Sequence, residues 1–265
     1  MQMLEAEFHI RKLEPFGLEL TAKNKNSDPG ILQPEQVHSL MLAHKILLLR
    51  NLKTVSESGF IDYGKSLGEL LSWDFGVLME MRVHEKPENY LFTHGHVPFH
   101  WDGAFHREPS WLFFHCVEAP MEKAGGETLF CNTELVWDKA SKAEKARWQG
   151  KILAYKTQKL AHYGGEIKVP MVQRHPISQK TFLRFAEPVP SEMLNPVELA
   201  IDGHSSEEVD AFVREMKAWC YDEKYCYTHR WKNNDLLLAD NISLLHGRHA
   251  FGDFSPRFLR RIQIL

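Results

Sequence analysis

Phe99-His100-Trp101-Asp102-Gly103 places an imidazole and a carboxylate two residues apart. On an extended backbone, residues i and i+2 project to the same side. His100 and Asp102 can therefore reach one metal ion. A second, distant imidazole would complete a face of two histidines and one carboxylate. Such a face suits iron(II) and leaves three positions open for a bidentate co-substrate and O2. His-x-Asp alone is a weak signal, because the chain holds 15 histidines and chance triplets are common. A surface turn containing a histidine is the plain alternative.

The far end of the chain adds weight. Leu244-Leu245-His246-Gly247-Arg248 follows an apolar run, and Arg257, Arg260 and Arg261 come soon after. Arg257, Leu259 and Arg261 alternate, so the two arginines share a face of an extended segment. A guanidinium donates two parallel hydrogen bonds to a carboxylate. A dicarboxylate chelating the metal at one end and held by arginine at the other satisfies both halves of the pattern. For Arg260 a solvated, aggregation-blocking strand edge is the better reading. Gly125-Gly126-Glu127-Thr128 gives a tight turn and a hydroxyl that can donate to a carboxylate oxygen, although a double glycine by itself is only a turn.

His94 and His96 precede the motif and can line a pocket. His106, His115, His162, His175 and His249 read as structural or solvated. Phe99, Trp101 and Phe105 serve equally as pocket walls or as core. No general base is required by this chemistry, and none is assigned. A zinc hydrolase using the same ligands would need a carboxylate base beside a bound water, and it leaves the arginine pair unexplained. A silent binding module would be free to lose the ligands and the arginines, yet both are present.

Several elements must position these groups. Ile46-Leu47-Leu48-Leu49 reads as a buried strand. Ser56 caps a helix carrying Phe60, Tyr63, Leu67 and Leu70-Leu71 at helical spacing. Tyr90–Thr93, Trp111–Val117 and Glu127–Cys131 read as strands. Leu135–Lys151 reads as one or two helices. Ile152–Thr157, Ile167–Gln173 and Thr181–Phe185 are expected as strands, and Ser205–Tyr221 as an amphipathic helix. Cys226–Trp231 and Leu236–Ala239 flank Asn233-Asn234-Asp235 as a hairpin signal, and Arg257–Leu265 closes the chain as a strand. There is no regular alternation of strand and helix. The expectation is a mostly β fold with flanking helices, an antiparallel sandwich or barrel, in one domain over residues 1–265.

Composition agrees. A hydrophobic fraction of 43% and a charged fraction of 25% are those of a globular protein. A net charge of −3 gives no reason to expect a nucleic-acid partner. Cys116, Cys131, Cys220 and Cys226 contain no CxxC pair and read as reduced thiols. The longest early apolar run, Ile46 to Leu49, is far short of the ~20 residues that cross a bilayer, and the acidic start does not read as a secretory leader. These points lead us to expect a cytoplasmic protein with a small-molecule substrate and no membrane partner.

His100-Trp101-Asp102, Gly125-Gly126-Glu127-Thr128, His246-Gly247-Arg248 and Arg257 through Arg261 stand in the order and spacing of the taurine dioxygenase (TauD/TfdA) family, which the chain resembles over roughly residues 15–265. Ile46–Arg50 with the helix after it, and Phe113–Pro120 leading into the double glycine, resemble that family too. The resemblance implies a double-stranded β-helix (jelly-roll) core, iron(II) as the metal, and 2-oxoglutarate and O2 as co-substrates. It implies that His100, Asp102 and His246 hold iron. Thr128 and Arg257 would hold the distal carboxylate of 2-oxoglutarate, and Arg261 would lie near its chelating end or the substrate. The presence of Asp102 speaks against halogenation, which needs that ligand position for a halide.

Within the family, Leu91–Phe105 most resembles the isonitrile-pathway oxygenases of the PvcB type. This resemblance implies an amino-acid-derived isonitrile, with tyrosine as the parent, that is desaturated with loss of CO2 or hydroxylated. Phe99 and Phe105 would cover the ring, His94 or His96 would meet the phenol, and Arg248 or Arg261 the carboxylate. A sulfonate such as taurine is the alternative, and it would want a smaller, more polar pocket.

Overall fold

The structure, a computed structural model, describes residues 2–87, 89–160 and 163–265; His162 lies outside the described residues. Two antiparallel-rich sheets form the core. The larger runs, edge to edge, Phe8–Lys12, Leu18–Ala22, Ile46–Arg50, Leu236–Asp240, Trp111–Glu118, Phe258–Ile264 and Met79–Met81. The smaller runs Cys226–His229, Thr128–Asn132, Leu244–Arg248 and Val97–His100. In the larger sheet only the pairing of Leu18–Ala22 with Ile46–Arg50 is parallel.

The unbroken apolar run Ile46–Leu49 is central in the larger sheet, and a strand covered on both faces needs no polar alternation. Leu47 and Leu49 point to one face and join Leu236, Leu238, Phe113 and Ile262. Helices Pro34–His44 and Glu57–Leu67 cover that face with Val37, Met41, Phe60 and Leu67. Ile46 and Leu48 point the other way. They pack with Phe114, Leu237 and Leu259 against Phe130, Leu244 and Trp231 of the smaller sheet and the segment following it. The second helix starts where expected, with Ser56 Oγ accepting from Gly59 N at 3.1 Å.

The outer face of the smaller sheet is also buried. Phe99, Leu129, Cys131 and Leu245 pack there against Trp148, Tyr155, Phe185 and Met216. Tyr155 comes from a three-stranded sheet of Val197–Ile201, Ile152–Leu160 and Tyr163–Pro170, Trp148 and Met216 from flanking helices, and Phe185 from the segment after strand Thr181–Leu183. Helix Ser206–Cys220 carries a reciprocal cap between Ser205 and Glu208 and buries Phe212, Met216 and Cys220. Among the described residues no helix is long and apolar enough to cross a membrane.

Three expectations need correction. Tyr90–Thr93 is not a strand: Tyr90–Phe92 forms a 3-10 turn, because the Asn89 side chain accepts from Leu91 N at 2.9 Å and captures the backbone locally. Leu135–Lys151, expected as one or two helices, is two, Thr133–Lys139 and Lys142–Trp148, with Ser141 capping the second. The segment expected as one strand over Ile167–Gln173 breaks at Met171. Cys226–His229 and Leu236–Asp240 do not form a hairpin. The first pairs with Thr128–Asn132 in the smaller sheet, the second with Ile46–Arg50 and Trp111–Glu118 in the larger. Asp235, expected at a hairpin tip, is instead buried, 2.8 Å from Arg50 and 3.2 Å from His229. That buried pairing carries the chain from one sheet to the other.

Candidate metal centre

His100 ends its strand and His246 sits in the middle of the neighbouring one, directly opposite it in the register. Their rings lie 4.2 Å apart between centroids. Asp102 follows just beyond the strand end, and its Oδ1 is 3.6 Å from His100 Nε2 and 3.5 Å from His246 Nε2. The three ligand atoms all lie within 4.8 Å of one another. Both Nε2 atoms are buried and make no hydrogen bond. A cation bound at ordinary N and O ligand distances, roughly 2.0–2.2 Å, supplies the partner these buried atoms lack. The residues present therefore fit the metal that the sequence implies.

The protonation states also suit a metal. His100 Nδ1 lies 2.9 Å from Pro98 O, so its N–H donates there and Nε2 keeps its lone pair. Burial first, then the neighbouring His246, pushes the His100 imidazole down to about 3. Burial would raise the Asp102 carboxyl, but the Arg261 guanidinium and the two imidazoles outweigh it and hold it well below the usual carboxylate range. His100 thus presents a neutral imidazole and Asp102 an ionised carboxylate, the forms that bind metal.

Asp102 is fixed by residues that no local pattern revealed. Asn241 Oδ1 accepts from Asp102 N at 2.9 Å, and Asn241 Nδ2 donates to Asp102 O at 3.0 Å. The Gln263 amide donates to Asp102 Oδ2, and Arg261 lies 3.0 Å from the same oxygen. Arg261 thus lines the pocket while pairing with a metal ligand.

At the other end of the pocket Arg257 is buried, with Nε donating to Gly126 O at 3.0 Å and a terminal nitrogen 3.4 Å from Thr128 Oγ1. Among the described residues no carboxylate pairs with it. Burial, reinforced by Arg248, pushes its pKa down to about 9. A buried cation without an anion is costly, and a ligand carboxylate is the natural relief. Thr128 Oγ1 also accepts from Trp231 Nε1 at 2.9 Å. Trp231 carried no signal of this role, because its indole reaches Thr128 only through the fold.

The pocket between these ends holds about 330 Å3 of empty space, part of it open to solvent. Met81, Leu91, Val97 and Phe114 form its apolar wall, and Thr128, Arg248, Arg257 and Arg261 its polar one. Among the described residues, no aspartate or glutamate other than Asp102 lies at the pocket, so none stands where a zinc hydrolase would need its base.

The substrate residues expected from sequence fare less evenly. Phe99 is fully buried against Tyr221 on the outer face of its strand, because adjacent residues point to opposite faces and His100 takes the pocket side. Phe105 packs against the same outer core. Neither walls the pocket, which corrects the expectation for both. His94 sits against the Phe251 ring, 3.6 Å from Asp253. His96 lies 3.0 Å from the Tyr221 hydroxyl, which donates to buried Glu187 at 2.6 Å. Arg248 is in the pocket, but its terminal nitrogens donate to the carbonyls of Leu91, Thr93 and Gly95 at 2.9, 2.6 and 2.6 Å. Arg260 pairs with Glu57 at 3.0 Å away from the pocket.

Comparison with known proteins agrees with this geometry. The profile of the "Taurine catabolism dioxygenase TauD, TfdA family" matches residues 9–263. The 3-((Z)-2-isocyanoethenyl)-1H-indole synthase of Fischerella ambigua (strain UTEX 1903) is 43% identical over 263 residues, 98% of this chain and 96% of that protein. A tyrosine isonitrile desaturase of Pseudomonas aeruginosa is 34% identical over 254 residues, covering 94% of this chain and 87% of that one. The crystal structure of PvcB from Pseudomonas aeruginosa superposes with a TM-score of 0.80 at 30% identity, over 96% of this chain and 91% of that chain. A second PvcB structure, described as an Fe, alpha-ketoglutarate dependent oxygenase from an isonitrile synthetic pathway, gives a TM-score of 0.78 at 30% identity, with the same coverage.

Proposed function

The chain belongs to the TauD/TfdA family of iron(II)- and 2-oxoglutarate-dependent dioxygenases, and from that premise we propose that it acts on an amino-acid-derived isonitrile, by decarboxylative desaturation or hydroxylation. The observation that carries the reading is one pocket holding the His100, Asp102, His246 donor set, a buried unpaired arginine and an apolar wall.

Iron(II) held here would supply the oxidising power from 2-oxoglutarate and O2, with succinate and CO2 as co-products. His100, Asp102 and His246 hold the metal. Arg257 and Thr128 grip the distal carboxylate of 2-oxoglutarate. The positive side formed by Arg248 and Arg261 favours a substrate that carries a carboxylate, and it orients that group for loss as CO2 in the desaturating route. Met81, Leu91, Val97 and Phe114 accept the apolar part and exclude water. We further infer that the two packed sheets are the double-stranded β-helix of a jelly-roll, in one domain, and that the protein works in the cytoplasm, where its buried cysteines remain thiols.

Tyrosine is the parent amino acid in the first reading. Tryptophan is a second, favoured by the 43% identity to a protein named for an indole product. Incubating the iron enzyme with tyrosine isonitrile, tryptophan isonitrile and taurine separately, and measuring succinate and product mass, decides among them. Succinate coupled to either isonitrile supports the proposal. Succinate coupled to taurine alone overturns it.

A further inference from the structure

We propose that Gln263 and Trp73 are positioning residues that hold Asp102 to a single metal-binding oxygen, and so keep a coordination position open for O2. The inference rests on the metal site above but not on the identity of the substrate.

The two oxygens of Asp102 have different surroundings. Oδ1 faces His100 Nε2 and His246 Nε2 at 3.6 and 3.5 Å. Oδ2 accepts from Gln263 Nε2 and lies 3.0 Å from Arg261. The Gln263 amide has two ends of nearly equal shape, and only its partners decide which end faces the carboxylate. Trp73 makes that decision. Its indole nitrogen can only donate, and it lies 2.6 Å from Gln263 Oε1. A flipped amide would set NH2 against the indole N–H and a carbonyl oxygen against the carboxylate, two repulsive contacts at once.

Trp73 is itself seated. Its backbone exchanges hydrogen bonds with Gly76 at 2.9 and 2.8 Å, and its ring rests on His106 at 4.8 Å. The backbone carbonyl of Gln263 accepts from Leu71 N at 2.9 Å, tying the same loop to the strand that carries Gln263. A short run of donors thus leads from a half-buried loop residue to a buried metal ligand.

The consequence is one of counting. Two histidines and one carboxylate oxygen leave three of six positions, of which a keto-acid chelate takes two. A carboxylate using both oxygens would leave only those two and none for O2. Swinging Oδ2 onto the metal would break its contacts with both Gln263 and Arg261, so the present arrangement opposes it.

Nitric oxide, a stand-in for O2 that is not turned over, tests this without catalysis. Anaerobic iron(II) and 2-oxoglutarate are bound to wild type, Gln263→Leu, Trp73→Phe and the double variant, and nitric oxide is titrated by electron paramagnetic resonance. Gln263→Leu should weaken nitric oxide binding by roughly 10–100-fold, the size of loss in metal affinity or activity when an outer partner of a metal ligand is removed. Trp73→Phe should act in the same direction, less strongly, and the double variant should be no worse than Gln263→Leu. Wild-type affinity in Gln263→Leu overturns the proposal, as does a further loss when Trp73→Phe is added to it. If Gln263→Leu fails to fold or to hold iron, Trp73→Phe decides alone, and wild-type affinity there overturns the proposal. A wild-type protein that binds no iron(II) would instead bring down the metal site, and this inference with it.

Discussion

Arg261 lies 3.0 Å from Asp102 Oδ2, while the two histidine nitrogens lie 3.6 and 3.5 Å from Oδ1 of the same carboxylate. One cation inside the protein therefore keeps a candidate metal ligand ionised. Burial pushes the Asp102 carboxyl up, and Arg261 is foremost among the groups that pull it down past its ordinary value. Replacing Arg261 with Met should let burial dominate and raise that pKa. Because the carboxylate must be ionised to bind metal, the acid limb of metal binding should move to higher pH. Cobalt(II) affinity measured from pH 5 to 8 checks this: an unchanged acid limb in Arg261→Met would show that Arg261 does not set the charge of Asp102.

His100→Ala and His246→Ala should abolish turnover and leave the fold intact. Metal present at 100 times its dissociation constant should stabilise wild type by about 2.7 kcal/mol. The same addition should leave the melting temperature of either variant unmoved. An active His246→Ala enzyme would shift the role to exposed His249.

Arg257 is a buried cation with no acid beside it among the described residues, so its replacement should act in opposite directions on stability and on binding. Arg257→Met should raise the apparent KM for 2-oxoglutarate by a factor reflecting ~3–5 kcal/mol, the usual loss when one partner of a buried charge pair is removed. Without ligand the same variant should melt no lower than wild type, since an unpaired buried charge has gone. Thr128→Ala should cost about 1 kcal/mol of co-substrate binding, somewhat more if the lost hydrogen bond was to a charged group. Calorimetry and steady-state kinetics measure both quantities, and a large drop in the melting temperature of ligand-free Arg257→Met would contradict this account.

Arg248 ties down the segment that carries His94 and His96 through three backbone carbonyls. A lysine has one nitrogen on a flexible stem and cannot span them with a planar fork. Arg248→Lys should therefore speed amide hydrogen exchange across residues 91–96 and leave the strands Ile46–Arg50 and Leu236–Asp240 protected. Equal exchange in both proteins would remove the clamp.

Asp240 offers a test of acid stability away from the metal site. It is buried, which raises its pKa, but the hydrogen bond from His175, buried Lys45 and Ser243 together lower it to about 2. A carboxyl with a lowered folded pKa adds stability that is present above its unfolded value, ~3.9, and is lost as pH falls through the folded value. Unfolding free energy should therefore fall by about 2 kcal/mol between pH 4 and 2 on account of this group. Asp240→Asn should be less stable at pH 7 and should lack that part of the slope, as urea titrations at each pH would show.

The His100 and Asp102 pair of the candidate metal site was legible in the sequence because its geometry is local. His100 and Asp102 are two apart at a strand end, and the alternation of an extended backbone is enough to bring them together. His246, Arg257 and Arg261 were legible as a pattern of chemically apt types. The strands Ile46–Arg50 and Trp111–Glu118 and helix Ser206–Cys220 were legible because periodicity and capping are properties of neighbouring residues. The same local logic misled where partners lie far away. Tyr90–Phe92 followed the Asn89 side chain, Asn233-Asn234-Asp235 became a crossing between sheets, and Phe99 turned its ring away because His100 claimed the pocket face.

By itself, then, the sequence determined the candidate side chains for metal and co-substrate, and that the chain is mostly β. Only the tertiary structure decided which oxygen of Asp102 meets the histidines, that Gln263 and Arg261 hold the other, that Trp231 supports Thr128, and that Arg248 spends its donors on the loop. The physical reason is separation along the chain. Gln263 and Asp102 stand 161 residues apart, and Trp231 and Thr128 stand 103 apart. A hydrogen bond across such a distance exists only once sheet pairing has set its two ends side by side, and no spacing rule within one segment encodes that pairing.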